Sequence, residues 1–353
     1  MTSVWTGLVR RVQTVATVRA IARTVPALRF LTGGIRRSSA WGAAHGAPVL
    51  LTFGVPRAME ADLDRALPEM AKLFVARRAR SSLVLDEYHR AGSEAVLMWG
   101  GSTVPALQGL VAAVGSLPVI SCFAGPVPLT VAGVEHRTIA VDWSGLYLNP
   151  RRPNDLEYIL NHFDFEAHAA LTTLAARLRA AAFPPPVGSD VTVILQDRSD
   201  PAMVFAPPGH PRPVELVARA RSENPDARLN VVLKGRPDRR PLLTQGLPPR
   251  TEVVSEAEEP AVLARSERVY TVNSPLAVDS VLRGAEAVVF GSPFYAGLGL
   301  TRDSGQPVRR VRPVDRNALF AAVFGLYCRL LDSNGRLTTL AAIDDRLRRG
   351  KAA

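Results

Sequence analysis

Residues 269–303 constrain the fold most, because apolar runs and turn residues alternate there at short spacing. An apolar run ends at Thr271, an Asn-Ser-Pro turn follows, and apolar side chains then recur at helical spacing up to Gly284. A second apolar run ends at Phe290 and enters a loop rich in glycine and proline. The stretch therefore predicts a strand, a helix and a second strand, followed by a loop of the kind that carries function.

The same alternation continues through the rest of the chain. It predicts strands at 49–53, 95–98, 119–122, 137–142, 191–195 and 229–233, and helices at 60–76, 104–114, 166–182, 213–222 and 319–331, with a further helix starting at Asn154 in a capping box. The stretch 95–134 is uncharged, but glycines and prolines divide it into pieces shorter than the roughly 20 residues of a membrane span. The order of elements predicts an α/β fold of two Rossmann-like, doubly wound domains.

Length and composition agree with two domains. The chain has 353 residues, of which 47% are hydrophobic and 21% charged, as in globular proteins. A proline-rich run at 183–188 marks the boundary between the domains. We therefore expect a basic N-terminal segment at 1–45, a first domain at 46–183, a second at 184–313, and a C-terminal helix and tail at 314–353.

The net charge of +11 is concentrated near the N-terminus, where residues 1–59 contain eight arginines and no acidic residue. The apolar residues at helical spacing among them are Trp5, Leu8, Val9, Val12 and Val15. This pattern is typical of a helix on an anionic membrane surface and also of an amphipathic helix packed on the first domain. No aromatic platform accompanies the arginines, so we expect no nucleic-acid partner.

Polar residues follow several predicted strands. Asn273 and Ser274 lie at a predicted helix N-terminus, which attracts a phosphate or carboxylate. Asp279, within that helix, is placed to accept hydrogen bonds from sugar hydroxyls. A plain N-cap and a solvated helix face would give the same pattern, so both interpretations stay open. The side chains that end other strands are Gln196, Lys234 and Arg236.

The cysteines and histidines indicate neither a disulfide framework nor a metal site. Cys122 and Cys328 fit a reducing cytoplasm. The six histidines are scattered, and no Cys/His cluster has the spacing of metal ligands. We therefore expect no metal and no cofactor.

The run Gly-Ser-Pro-Phe-Tyr-Ala-Gly-Leu-Gly-Leu-Thr at 291–301 resembles the C-terminal signature of the capsule polysaccharide β-Kdo transferases, bacterial enzymes of capsule biosynthesis and export. The resemblance continues through the basic run at 308–312 and the helix predicted after it. At 234–238 the chain has Lys-Gly-Arg-Pro-Asp where the family has Lys-Pro-His-Pro-Asp. Because a guanidinium binds phosphate through paired hydrogen bonds, Arg236 can replace the histidine in binding but not in proton transfer.

The resemblance implies a glycosyltransferase-B architecture, with the acceptor on the first domain and a CMP-Kdo donor on the second. It implies a lipid-linked or saccharide acceptor and a cytoplasmic protein, peripheral on the inner membrane beside capsule assembly proteins. The donor-binding residues would be Gln196, Lys234, Arg236, Asn273, Ser274, Asp279 and Tyr295.

The resemblance also implies a carboxylate nucleophile after a strand of the first domain, because a carboxylate can form and release a glycosyl ester. The corresponding stretch, 120–126, contains no acidic residue; the nearest candidates are Asp142 and Glu135. Three explanations stay open: catalysis by another acid, a nucleotide-binding scaffold that has lost catalysis, and direct displacement. A membrane-surface adaptor is the alternative outside the transferases. Cys122 is predicted to be a buried structural thiol.

Overall fold

The computed structural model describes residues 35–37, 48–76, 79, 81–93, 95–100, 105–115, 117–305 and 309–350. The chain divides into two compact units, Met1–Ile120 and Ser121–Ala353. The predicted amphipathic segment at residues 5–15 lies outside the described residues, and the predicted domain boundaries stay predictions. In the described parts of the chain, no helix is long and apolar enough to cross a membrane.

The first unit contains a sheet with the order β1-β3-β2-β4. Its strands are β1 (Ile35–Arg37), β2 (Val49–Phe53), β3 (Ala71–Val75) and β4 (Ala95–Trp99), and its helices are α1 (Glu60–Ala66), α2 (Ser81–Ala91) and α3 (Pro105–Val114). Strand β2 pairs in parallel with β3 and β4, whereas β1 is antiparallel to β3. The predicted strands at 49–53 and 95–98 are confirmed.

The predicted helix at 60–76 is wrong beyond Ala66. Leu67 has left the helical conformation, as expected of a residue that precedes proline. Strand β3 follows and is buried along its whole length. Its Lys72 is fully buried, and the ammonium donates hydrogen bonds to the carbonyl oxygens of Leu67 (2.6 Å) and Met70 (2.7 Å). The apolar spacing over 60–76 therefore spans both a short helix and a buried strand, and periodicity alone does not separate the two.

The second unit carries the remaining elements, except that the first of its strands begins at Val119, two residues before the unit does. Its strands are β5 (Val119–Ala124), β6 (Leu129–Val131), β7 (Val134–Asp142), β8 (Asp190–Gln196), β9 (Leu229–Lys234), β10 (Thr251–Val254), β11 (Ser266–Thr271), β12 (Glu286–Val289), β13 (Thr301–Asp303), β14 (Cys328–Leu331) and β15 (Leu337–Thr338). Its helices are α4 (Asp155–His162), α5 (Ala169–Ala182), α6 (Pro213–Glu223), α7 (Arg240–Leu243), α8 (Glu259–Arg265), α9 (Val278–Arg283), α10 (Arg316–Phe320) and α11 (Leu340–Gly350).

Some strands of the second unit pair in an antiparallel direction. Strand β7 pairs in this way with β5, β6 and β14. The predicted strand at 137–142 is confirmed as the end of β7, but its pairing is antiparallel and not parallel. The predicted helix at 319–331 is also wrong at its end: α10 continues as a π-helix over Ala321–Tyr327, and the chain then forms β14, whose pairing with β7 overrides the helical periodicity.

The parallel sheet has the order β10-β9-β8-β11-β12-β13, and every pairing in it is parallel. From β8 the chain moves outward through β9 and β10, and then returns to β11 on the other side of β8. In such sheets ligands bind in the crevice at the carboxyl ends of the strands, where the direction of winding reverses. That crevice lies between β8 and β11.

Candidate functional site

Two side chains bridge the carboxyl ends of β8 and β11. The Gln196 side-chain oxygen accepts a hydrogen bond from the backbone N–H of Asn273 (3.1 Å), and its amide nitrogen donates to the Asp200 carboxylate (3.0 Å). The Asn273 side chain donates to the carbonyl of Ala202 (3.2 Å) and accepts from the N–H of Ser292 (2.8 Å). These bonds fix three loops around the predicted crevice.

The glycine-rich loop at 291–299 contacts the turn that precedes α9 through Tyr295. The Tyr295 hydroxyl donates to the carbonyl oxygen of Ser274 (2.6 Å), and both residues are buried. Burial raises the pKa of Tyr295 well above its usual value. The Ser274 hydroxyl accepts from the N–H of Leu276 (3.3 Å), which is the N-cap interpretation left open by the sequence. A Cβ at Gly291 would lie 2.1 Å from Oδ1 of Asn273, so this position requires glycine.

Two cationic side chains, those of Lys234 and Arg236, lie at and just after the end of β9, which neighbours β8. Lys234 pairs in register with Gln196, and its ammonium lies 2.5 Å from the carboxylate of Glu259. The Arg236 side chain is 61% exposed, with its guanidinium 3.1 Å from the carboxylate of Asp238. Because the guanidinium is exposed and held only by a surface pair, it is accessible to an anionic ligand.

Sequence reasoning missed Asp197, although an acidic residue directly after a buried strand was the available signal. Its carboxylate accepts a hydrogen bond from the N–H of Arg236 (3.1 Å). Gly235 has φ +114°, and a Cβ there would lie 2.4 Å from Cγ of Asp197. Burial raises the pKa of the nearby Asp200 carboxyl, against hydrogen bonds from Gln196 and from a backbone N–H. The crevice thus carries two close carboxylates as well as two cations.

Asp142, at the end of β7, is buried and hydrogen-bonded at both carboxylate oxygens. Oδ1 accepts from the backbone N–H groups of Ser144 (3.0 Å) and Gly145 (2.7 Å). Oδ2 accepts from the Tyr327 hydroxyl (2.8 Å), and the N–H of Asp155 lies 3.2 Å from both oxygens. Burial raises the pKa of Asp142, and the hydrogen bonds oppose that rise. This geometry is that of a carboxylate which organises the turn into α4.

Glu135 lies in a hairpin, and Asp279 lies in the first turn of α9. Glu135 is exposed in the hairpin of β6 and β7, seven residues before Asp142, which corresponds to roughly 23 Å along an extended strand. The Asp279 carboxylate is 2.6 Å from the guanidinium of Arg283 on the same helix. The functional roles of these residues stay predictions.

Cys122 and Cys328 are both buried, and neither is in a disulfide. Among the described residues, no group of three or more His, Cys, Asp or Glu side chains could hold a metal ion. The expectation of a metal-free site stays a prediction.

The residues that form the crevice belong to a stretch of the chain that matches a known protein-family model. Residues 187–331 match the family model described as capsule polysaccharide biosynthesis protein. The lipopolysaccharide-processing protein LpsZ of Rhizobium meliloti is 27% identical over 322 residues, which cover 82% of this chain and 72% of LpsZ. The capsule polysaccharide modification protein LipA of Neisseria meningitidis serogroup B is 27% identical over 72% of this chain, which spans 41% of LipA.

Comparison with solved structures extends the likeness across most of the chain. The Thermosulfurimonas dismutans KpsC beta Kdo 2,4 transferase superposes with a TM-score of 0.64 at 23% identity, covering 86% of this chain and 99% of that one. The beta Kdo 2,7 transferase of the same organism gives 0.60 at 21% identity, with the same coverage. At these identities the likeness concerns the fold, and it confirms the predicted α/β class of glycosyltransferase-B type.

Proposed function

From the match of residues 187–331 to the capsule polysaccharide biosynthesis model, we propose that the chain is a glycosyltransferase-like protein of capsule assembly. Its donor is a CMP-sugar, CMP-Kdo, and its acceptor a lipid-linked saccharide. The observation that carries the proposal is the hydrogen-bonded crevice between β8 and β11, joined by the bond between Gln196 and Asn273.

The crevice offers the groups that a nucleotide sugar needs. The exposed guanidinium of Arg236 can exchange the carboxylate of Asp238 for a phosphate, which it would hold through two parallel hydrogen bonds. The absence of a side chain at Gly291 admits the Asn273 side chain, which holds this edge of the crevice in place.

Calorimetric titration of the protein with CMP and CMP-Kdo tests the donor site. We expect Arg236→Ala to weaken binding about tenfold, which corresponds to about 1.4 kcal/mol. Arg228→Ala is the matched control, because Arg228 also forms an exposed arginine–carboxylate pair, with Glu252, but lies at the amino end of β9. Absence of binding at millimolar nucleotide would refute the CMP-sugar donor.

A scaffold without catalysis is the second candidate, and the geometry of Asp142 favours it. A nucleophile must reach the sugar carbon, whereas both oxygens of Asp142 are buried and engaged by N–H and O–H donors. Glu135 lies far along the same strand. If the protein binds CMP-Kdo but releases no CMP with any lipid-linked acceptor fraction, the scaffold function replaces the transferase.

The arginine-rich N-terminus supports a cytoplasmic position on the inner-membrane surface, next to capsule assembly proteins. Near an anionic surface each such residue contributes about 1 kcal/mol of binding. Replacing Arg10, Arg11, Arg19 and Arg23 by Gln should abolish sedimentation with vesicles that contain anionic lipid. Unchanged sedimentation would argue against this location.

A further inference from the structure

A cavity of about 750 Å³ lies where the end of α4, the start of α5 and residues 312–318 meet. This volume falls within the range of small-molecule sites in proteins. The cavity lies wholly within the second unit, and its lining shares no residue with the crevice between β8 and β11. Neither the family resemblance nor the proposed donor site assigns it a ligand.

The lining combines hydrogen-bond acceptors, donors and apolar side chains. Asp164, Glu166 and Asp315 contribute carboxylates, and Thr173 contributes a hydroxyl. Phe165, which is 8% exposed, contributes an aromatic side chain. A sugar hydroxyl both donates and accepts hydrogen bonds, and the C–H face of a pyranose ring is apolar, so this combination matches a saccharide.

The charge of the cavity disfavours acidic ligands. The chain as a whole is strongly basic, yet among the described lining residues three carboxylates face one guanidinium, that of Arg312. That guanidinium already donates to the carbonyl oxygens of Leu160 (3.0 Å) and Phe163 at the end of α4. A phosphate or a sugar acid would meet an excess of carboxylates among the lining side chains, whereas a neutral sugar is not repelled by them.

An aromatic platform adjoins the cavity. His162 lines it, and the Tyr158 ring packs against the His162 ring with centroids 4.7 Å apart. Tyr158 is 68% exposed, so one face of its ring is open to solvent. Exposed rings of this kind provide an apolar face for a second sugar unit.

We propose that this cavity and the exposed face of Tyr158 bind neutral pyranose units of a glycan. The identification of that glycan as the acceptor rests on the proposed function; the binding itself does not. The protein then has two sites of opposite preference, an acidic cavity for neutral sugar and the crevice containing Arg236 for an anionic nucleotide.

Saturation-transfer NMR with the full chain tests the cavity, with neutral oligosaccharides (maltotriose, a galacto-oligosaccharide and chitotriose), free Kdo and inorganic phosphate as probes. We expect at least one neutral oligosaccharide to bind at millimolar concentration, with no signal from Kdo or phosphate at the cavity. Tyr158→Ala and Glu166→Lys should each weaken saccharide binding at least fivefold. Tyr158→Phe, which keeps the ring, should retain it, as should Glu252→Gln, an exposed carboxylate on β10.

Titration with CMP in the same samples separates the two proposals. Saccharide binding without CMP binding would refute the donor site and leave the cavity proposal standing. The cavity proposal is overturned if CMP binds but no neutral oligosaccharide does, if Kdo or phosphate binds in a manner sensitive to Glu166→Lys, or if saccharide binding survives both Tyr158→Ala and Glu166→Lys.

Discussion

Replacing Asp142 by alanine should destabilise the second unit severely, whether or not the residue takes part in catalysis. Alanine leaves the backbone N–H groups of Gly145 and Asp155 and the buried Tyr327 hydroxyl without their acceptor. Each unsatisfied buried donor costs about 1–3 kcal/mol. Part of this loss is offset, because the alanine variant no longer buries a carboxylate. We expect a net loss of about 3 kcal/mol in the free energy of unfolding.

Asp142→Asn separates the structural role from a catalytic one. The asparagine oxygen can accept from the same N–H groups, and its amide can donate to the Tyr327 hydroxyl, which then acts as acceptor. The loss in stability should therefore be about 1 kcal/mol. An asparagine amide cannot act as the nucleophile. If Asp142 is catalytic, Asp142→Asn should therefore abolish sugar transfer although the fold stays intact.

Differential scanning fluorimetry measures the stability difference. For a unit of this size, a loss of about 3 kcal/mol corresponds to a fall of about 6–12 °C in Tm. Glu135→Ala is the matched control, because it removes an exposed carboxylate from the same strand and should leave Tm unchanged. A Tm for Asp142→Ala within about 2 °C of wild type would refute the hydrogen-bonding argument.

Two further substitutions test residues that pack next to the parallel sheet. Gly235→Ala should lower the free energy of unfolding by about 2–3 kcal/mol and weaken CMP binding, because φ is +114° and the new Cβ meets Asp197. Gly209→Ala is the control: φ is +74° but the space is open, so the loss in the same thermal melts should be only about 1 kcal/mol. Burial disfavours the charged form of Glu223, but hydrogen bonds from Tyr270 and two arginines prevail and lower its pKa to about 2. Because the folded pKa lies below the unfolded one, this stabilisation is complete above pH 4.5 and is lost as the pH falls towards 2. Glu223→Gln should therefore lower stability by about 1–2 kcal/mol at pH 7, after allowance for solvent screening, with the gap closing between pH 4.5 and 2; a gap independent of pH would contradict this assignment.

Local sequence determined the parallel half of the fold. Strands buried on both faces are mostly apolar, so β8 and β9 were recognisable without partners. Capping is equally local: Asn154 accepts from the N–H of Glu157 (2.9 Å) and starts α4, and Gly284, with φ +96°, ends α9. The polar residues that follow these strands were therefore predictable as candidates.

Tertiary structure alone decided what those candidates contact. Gln196 and Asn273 are 77 residues apart and bond only because β8 and β11 are neighbours in the sheet. Cys328–Leu331 follows a helical pattern yet pairs with β7, since a strand partner outweighs local propensity. Asp142 looked available as a nucleophile in the sequence, but Tyr327, 185 residues further on, engages its carboxylate. Periodicity reports which face of an element is buried, whereas the partner of a buried polar group is set by contacts remote in sequence.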